Sequence, residues 1–340
     1  MGLPQKVRSF LNNETATANQ IRQLLKISVL IILFIGLFWF VDFRAVVGVI
    51  ARADPILLVI GLLLVFPAEF LNAVQLKFLV RRQNIHFKVF QLFAINLSIK
   101  FYLLFLPGAI VGSGIRWYKL SQPEGKRAEA LAAVTFNRLL ETFLVVILGL
   151  CFWFLSGNKT NQMDIGFLIL LFLVIAAIWV LITRLSRPIS KIMSKFSQRM
   201  TQRRYVHAIS VWIEKLLVAV ASYAEFPIWE LIVLVSVGII RLLLVLFGFQ
   251  LLAHSVGIFI PFVEMGWILS VVMLFALIPF TYAGGLGVRE VGLVFLLSSF
   301  GVNSETAIAF SLLIFTRILL LGLLGGLLEL LGTARVKLNA

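Results

Sequence analysis

Residues 278–289 read Ile-Pro-Phe-Thr-Tyr-Ala-Gly-Gly-Leu-Gly-Val-Arg and lie inside an apolar stretch, residues 262–300. An earlier apolar stretch, residues 88–118, contains a similar run at 106–116, Leu-Pro-Gly-Ala-Ile-Val-Gly-Ser-Gly-Ile-Arg. Each run has Pro, then small residues, then Gly-x-Gly-[Ile/Val]-Arg. Pro and paired Gly interrupt a helix, and such breaks persist at membrane depth only where the backbone faces protein or a wet cavity. The two runs therefore predict two broken or re-entrant helical hairpins.

The composition is that of an integral membrane protein. Hydrophobic residues make up 61% of the 340 residues and charged residues 13%, whereas soluble domains contain about 45–50% and about 25%. We predict an all-α polytopic membrane protein that forms a single integral membrane domain, residues 1–340. Besides the two hairpins, it would have about six full transmembrane helices, near residues 25–41, 55–79, 128–156, 163–183, 227–252 and 304–331.

Basic residues predict the topology. Four basic segments, together with Arg335 and Lys337, are expected to be cytoplasmic by the positive-inside rule, namely residues 1–26, 77–88, 116–127 and 184–215. Both termini would then be cytoplasmic, in the cell (inner or plasma) membrane. The first hairpin would enter from the cytoplasmic face and the second from the outer face, as in an inverted repeat. The net charge of +15 is read as topology and lipid contact, not nucleic-acid binding.

Residues 184–226 are predicted to be a cytoplasmic amphipathic connector, which either lies on anionic lipid or is a solvated link between spans. The sequence contains no catalytic constellation, so we expect the protein not to be an enzyme. It has one cysteine, Cys151, and three widely separated histidines, so we expect no metal ion and no cofactor.

Ionisable residues at membrane depth are candidate functional residues. Freed backbone N–H groups and a neighbouring arginine can together bind a phosphate. The expected substrate-binding residues are therefore Arg116, Arg289, Arg138, Arg317, Gly112, Gly114, Gly285 and Gly287. Residues that would line the pathway or couple transport to an ion are Glu69, Lys100, Glu141, Arg241 and Glu290.

Several of these residues have a simpler explanation. Glycines often serve only close helix packing, as Gly322 and Gly326 would, and arginines can extend to the lipid headgroups. Arg138 and Glu141, one helical turn apart, could neutralise each other. Arg116, Arg241, Arg289 and Arg317 have no such acid expected to pair with them, although long-range pairs with Glu69, Glu141 or Glu290 remain open.

The second motif, residues 279–290, followed by Phe300-Gly301 and by Thr316-Arg317 in the last span, resembles the lysylphosphatidylglycerol synthase transmembrane-region family. The first half is similar to the family's conserved blocks as well, in Gly-Ser-Gly-Ile-Arg-Trp-Tyr-Lys-Leu at 112–120 and Ala-Ala-Val-Thr-Phe-Asn-Arg-Leu at 132–139. Asn137 departs from the family pattern, which usually has an acid there. No aminoacyl-transferase domain follows Ala340, so the resemblance implies the lipid-translocating module without lysine transfer.

The resemblance and the paired hairpins together predict that the protein flips a lipid with an anionic headgroup, such as an aminoacylated phospholipid or a polyprenyl-phosphate-linked lipid. The alternatives are an intramembrane enzyme of lipid-linked sugar transfer, or a scaffold that holds a cytoplasmic glycosyltransferase or lipid-modifying enzyme. The expected partners are thus the lipid itself and, in the alternatives, such an enzyme.

Overall fold

The computed structural model describes residues 51–106, 109–156, 215–275 and 288–331, which all belong to one compact unit. Apart from a short 3₁₀ helix, Ser222–Glu225, the regular elements within these ranges are α-helices. In chain order they are α1 (Pro55–Leu63), α2 (Val65–Arg82), α3 (Val89–Leu103), α4 (Ala109–Ser121), α5 (Arg127–Ser156), α6 (Ile228–Ser255), α7 (Phe262–Phe275), α8 (Val288–Ser298) and α9 (Ser304–Leu330).

Four helical runs in the described ranges are long and apolar enough to cross a membrane, namely Pro55–Arg82, Arg127–Ser156, Ile228–Ser255 and Ser304–Leu330. They match four of the predicted spans. The first run comprises α1 and α2, which are separated at Leu64. Pro67 explains this break, because its ring nitrogen cannot donate to the preceding turn. The predicted spans 25–41 and 163–183 lie outside the described residues.

The first predicted hairpin, residues 88–118, folds as two short helices. They are α3, of 15 residues, and α4, of 13 residues, and the break between them precedes Ala109. At about 1.5 Å per residue each helix is about 20 Å long, well short of the roughly 30 Å hydrocarbon core. Gly112 allows α4 to pack closely on α3, because a Cβ at this position would lie 2.9 Å from the Leu103 side chain.

The second predicted hairpin, residues 262–300, has a related form. Its two short helices, α7 and α8, contain 14 and 11 residues and pack against each other. The residues that connect them, 276–287, lie outside the described part of the chain, as does most of the Pro-Gly motif. The structure therefore supplies both arms of this hairpin.

Each hairpin packs against a long helix from the other half of the chain. The first arm of the first hairpin, α3, packs on α9, and the first arm of the second hairpin, α7, packs on α5. In each pair a glycine allows the two helices to approach closely. A Cβ at Gly325 would collide with the backbone carbonyl of Leu97, and a Cβ at Gly149 would lie 2.8 Å from the Ser270 side chain. Cβ atoms at Gly322 and Gly326 would likewise collide with the side chains of Leu104 and Phe101, which confirms the packing role predicted for these two glycines.

The apolar interior consists mainly of two clusters. One is built largely from α2, α3 and α5, and the other mainly from α6 to α9. Of the predicted connector, residues 184–226, the structure describes 215–226. Its last turns are fixed to the end of α2, because Tyr223 donates a hydrogen bond to the Leu79 carbonyl (3.1 Å) and Gln83 donates one to the Ala219 carbonyl (2.8 Å).

Candidate functional site

The site begins with an ion pair between α2 and α3. Lys100 Nζ lies 3.0 Å from Glu69 Oε1, and the Glu69 side chain is only 8% exposed. Asn72, one turn further along α2, donates a hydrogen bond to Glu69 Oε2 at 3.3 Å. Because a buried carboxylate is costly without compensation, this pair explains how α2 can carry an acid inside its apolar run.

A second acid, Glu141 on α5, joins a cation from α6. Arg241 Nη2 lies 3.5 Å from Glu141 Oε1, and Arg138 Nη1 lies 4.0 Å from Glu141 Oε2. Asn137 donates to Glu141 Oε1 at 3.0 Å. The contact of Arg138 with Glu141 agrees with the pairing that their spacing suggested, and of the long-range pairs left open for Arg241 the structure shows the one with Glu141. The sequence could not reveal this pair because its members are 100 residues apart.

Arg116 on α4 lies in the electrostatic field of both acids. It interacts attractively with Glu141 and Glu69 and repulsively with Arg138 and Arg241. Its Nε is buried and has no hydrogen-bond partner among the described residues.

Arg317 completes the group from α9. Its guanidinium carbon lies 4.6 Å from the centre of the Phe249 ring, a cation–π geometry, and only 8% of the residue is exposed. It also interacts electrostatically with Glu69 and Arg241. We call the seven ionisable residues that these interactions connect the central polar cluster: Glu69, Lys100, Arg116, Arg138, Glu141, Arg241 and Arg317.

The central polar cluster carries more positive than negative charge. Its described members are five cations and two carboxylates, a formal surplus of three positive charges. Buried side-chain atoms without a hydrogen-bond partner in the described ranges include both polar atoms of Gln75 and of Asn96, and Arg241 Nε. Buried polar atoms are nearly always satisfied by protein, water or a ligand. The arrangement therefore has both the charge and the free donors to receive a polar anion.

Arg289, on α8, belongs to a different set of contacts. Its Nη2 donates to Glu290 Oε1 at 2.8 Å, its Nε donates to Ser311 Oγ at 2.8 Å, and Ser311 in turn donates to Glu290 at 2.7 Å. This triad joins α8 to α9. Arg289 thus pairs with Glu290, one of the three acids left open as partners of the arginines, and Ser311 is a partner that the sequence did not indicate.

The predicted glycine contacts need a correction. Gly112 and Gly114 are the fourth and sixth residues of α4, not part of a break. Only the first four N–H groups of a helix lack an intrahelical acceptor, so Gly114 does not offer a free donor. The N–H groups without an intrahelical acceptor belong to the start of α4, before Gly112. Gly285 and Gly287 lie outside the described residues.

One polar network was not anticipated. Lys119 on α4 forms a 2.5 Å ion pair with Glu329 on α9 and donates to Ser98 on α3 at 2.8 Å, while Tyr102 donates to Glu329 at 3.2 Å. In the sequence, Lys119 is one of the basic residues of segment 116–127, which predicts a cytoplasmic loop. The one signal that could have revealed the network is the acid near the end of an otherwise apolar last span.

The loop between α4 and α5 also contains an ionic contact. Lys126 donates to Glu124 Oε2 at 2.6 Å, and the backbone N–H of His86 donates to Glu124 Oε1 at 3.0 Å. The hydrogen bond from Lys126 is the largest effect and lowers the pKa of Glu124 below the ordinary value of 4.5. This loop is thereby tied to the end of α2.

Comparison with known proteins places the chain in a family. No curated protein and no solved structure matched it. The model of one family does match, over residues 23–326, which includes both hairpins and every member of the central polar cluster. This range is most of the chain, and it agrees with the family that the motifs resemble. The protein therefore belongs to the family described as the lysylphosphatidylglycerol synthase transmembrane region.

Proposed function

We propose that this protein moves a lipid with an anionic, phosphate-bearing headgroup between the two leaflets of the cell membrane. Family membership supports a role connected with membrane lipids. The observation that carries the finer proposal is the positive surplus of the central polar cluster. Cations at membrane depth are costly unless they are paired or lie in a polar cavity. Three positive charges beyond the two carboxylates are accounted for if the site receives an anion.

Arg116 would make the principal phosphate contact. Lys100 and Arg241 are already paired with the two carboxylates, Glu69 and Glu141. Arg116 is attracted by both acids, and its buried Nε has no hydrogen-bond partner in the described ranges. A guanidinium offers two parallel donors to a phosphate, a stronger and more directional contact than an ammonium provides. Arg138, whose side chain is 42% exposed, would meet the headgroup on its way to Arg116.

An inverted repeat would provide the path. Helix α3 packs on α9, and α7 packs on α5. This contact pattern is expected if residues 88–156 and 262–330 are two copies related by a pseudo-two-fold axis. Hairpins that enter from opposite faces would leave two half-channels that meet at the polar cluster. With both termini cytoplasmic, the headgroup would pass from one half-channel to the other while its acyl chains stay in lipid. The proposal involves transport without covalent chemistry.

A liposome assay tests this function. The purified protein is reconstituted with fluorescent phosphatidylglycerol, and dithionite quenching reports the rate at which inner-leaflet lipid reaches the outer leaflet. Loss of a charge-assisted contact worth about 1.5–3 kcal/mol slows transport by roughly 10- to 150-fold. We expect that loss in Arg116→Gln and a partial retention of rate in Arg116→Lys, because the lysine keeps the charge but not the bidentate geometry.

The matched control is Arg52→Gln, which removes an exposed arginine. It should transport at the wild-type rate, and thermal unfolding in detergent verifies that each variant is folded. A folded Arg116→Gln protein that moves phosphatidylglycerol as fast as wild type would refute the assignment of Arg116. Liposomes in which the wild-type protein itself gives no transport above protein-free vesicles would refute flipping of this lipid class.

A further inference from the structure

A cavity whose wall contains several charged side chains lies outside the central polar cluster, and it shares no lining residue with that cluster. It has a volume of about 470 Å³, within the range of small-ligand sites. It lies where the end of α2, the start of α5 and the helical residues 215–221 meet. The residues that line it are Arg82, Gln83, Asn84, Lys126, Glu129, Lys215, Val218, Ala219 and Ser222.

Three basic sequence segments converge on this cavity. Segment 77–88 contributes Arg82, segment 116–127 contributes Lys126, and segment 184–215 contributes Lys215. In the sequence, these segments serve only to predict which loops are cytoplasmic. Cations that serve topology alone need not meet, because the positive-inside rule counts charge and is indifferent to position. The cavity, however, combines one cation from each with a single carboxylate, Glu129.

The cations are held in place by the fold. The Arg82 guanidinium carbon lies 5.5 Å from the centre of the Phe226 ring. Lys126 donates to the Asn84 carbonyl at 2.7 Å and to Glu124 Oε2 at 2.6 Å, which fixes its ammonium beside the wall of the cavity and partly offsets its charge. Gln83, also in the wall, donates to Ser222 Oγ at 2.9 Å and so joins α2 to the connector. A ligand would thus meet two cations, Arg82 and Lys126, whose positions are largely set before it binds, together with the exposed Lys215.

We propose that this cavity is a second anion site, which binds a phosphate mono- or diester group at the cytoplasmic end of the helices. The side is the one that the basic segments assign to the cytoplasm. An arginine and two lysines around one cavity suit a phosphate, which accepts several charge-assisted hydrogen bonds at once. The phosphate could belong to an anionic lipid headgroup or to a soluble phosphate ester. The site stands independently of the proposed function.

The test measures binding of two probes to the full-length protein. Glycerol 1-phosphate is titrated into protein in neutral detergent, and unfolding temperature is compared with a chloride titration of equal ionic strength. In parallel, retention of phosphatidylglycerol is measured by native mass spectrometry after release from phosphatidylglycerol/phosphatidylcholine nanodiscs. The test variant is Arg82→Gln/Lys215→Gln. The matched control is Arg81→Gln, which removes the exposed neighbouring arginine that does not line the cavity.

We expect the double variant to bind at least one of the two probes about tenfold more weakly per lost cation, and Arg81→Gln to match wild type. Stabilisation by glycerol 1-phosphate alone identifies a soluble ester, and selective retention of phosphatidylglycerol identifies a lipid. A further variant, Glu129→Gln, removes the carboxylate of the cavity and should tighten binding of the same probe. Equal binding of both probes by wild type, double variant and Glu129→Gln would overturn the proposal.

Discussion

Replacing Glu141 with Gln removes one of the two carboxylates of the central polar cluster and keeps the size of the side chain. The formal surplus of the described cluster rises from three to four positive charges. Such a change should have two effects of opposite sign. The fold loses stability because cations that faced an acid now repel one another, and the site gains affinity for an anion for the same reason.

The distances give the magnitude. At 3.5 Å, the attraction between Glu141 and Arg241 amounts to about 5 kcal/mol at an effective dielectric constant of about 20. The 4.0 Å contact with Arg138 contributes less than its geometry allows, because 42% of that side chain is exposed. Desolvation of the acid offsets part of these terms, and breaking a buried pair costs about 3–5 kcal/mol. We expect Glu141→Gln to lower the free energy of unfolding by about 3 kcal/mol.

Arg241→Met is the comparison variant. It removes the closest cation, but Glu141 keeps Arg138, the hydrogen bond from Asn137 and the field of Arg116. We therefore expect a smaller loss of about 1–2 kcal/mol. Removing the acid should be the more damaging change because the cluster has cations in excess. In a cluster with balanced charge the two losses would be similar.

The assay has two readouts. Equilibrium unfolding in mixed detergent micelles gives the stability of each variant, and native mass spectrometry gives the retention of phosphatidylglycerol. Glu141→Gln should be less stable yet retain about tenfold more lipid, and Arg241→Met should retain less than wild type. Glu305→Gln, an exposed acid at the start of α9, is the control and should change neither. The reasoning is refuted if Glu141→Gln retains less lipid than wild type while it remains folded.

Three other perturbations test separate parts of the structure. Gly325→Ala should lower the free energy of unfolding by about 1–3 kcal/mol in chemical denaturation, because α3 blocks the new methyl group, whereas Gly114→Ala, which faces open space, should not destabilise. Lys119→Met should destabilise by about 3 kcal/mol, and the additional change Glu329→Gln should restore part of that loss; strictly additive effects in this double-mutant cycle would contradict the ion pair. Since the pKa of Glu124 is lowered in the folded protein, its contribution is present above the unfolded value and disappears as the pH falls through the folded value. The stability difference between wild type and Glu124→Gln should therefore begin to shrink as the pH falls below the unfolded value of about 4.3 and keep shrinking with further acid, and a difference that does not decrease between about pH 5 and pH 2 would contradict this origin.

Much of the membrane architecture could be predicted from local sequence features. Apolar length and the absence of charge suffice for long helices, so the four spans in the described ranges agree with prediction to within a few residues. The hairpin of residues 88–118 was also predictable, because Pro107 lacks a backbone N–H and Pro and Gly in succession disfavour a continuous helix. The exact position of that break could not be predicted as well. The glycines of the Gly-x-Gly-Ile-Arg motif lie within α4, where Gly112 allows close helix packing.

The site was only half predictable, since sequence indicates which residues are costly to bury and not which of them meet. Glu69, Lys100 and Glu141 were identified as candidate ionisable groups of the apolar helices, but the pairs Glu69–Lys100 and Glu141–Arg241 join residues 31 and 100 positions apart. Such pairs depend on helix packing, which one sequence does not reveal. The short-range pair of Arg138 with Glu141 was found because three residues on a helix span one turn.

The two copies of the motif have diverged in the one residue that would bind phosphate. Arg116 and Arg289 occupy the same position in Gly-x-Gly-[Ile/Val]-Arg, yet their environments differ. Arg289 is followed directly by Glu290 and forms a triad with that acid and Ser311. Arg116 is followed by Trp117 and faces the acids of the central polar cluster only at longer range. Transport through two equivalent half-sites would need both arginines to be available. We therefore propose a single binding site on the side of the first hairpin, whereas the second hairpin is joined to α9 by the hydrogen bonds that Arg289 and Glu290 make with Ser311.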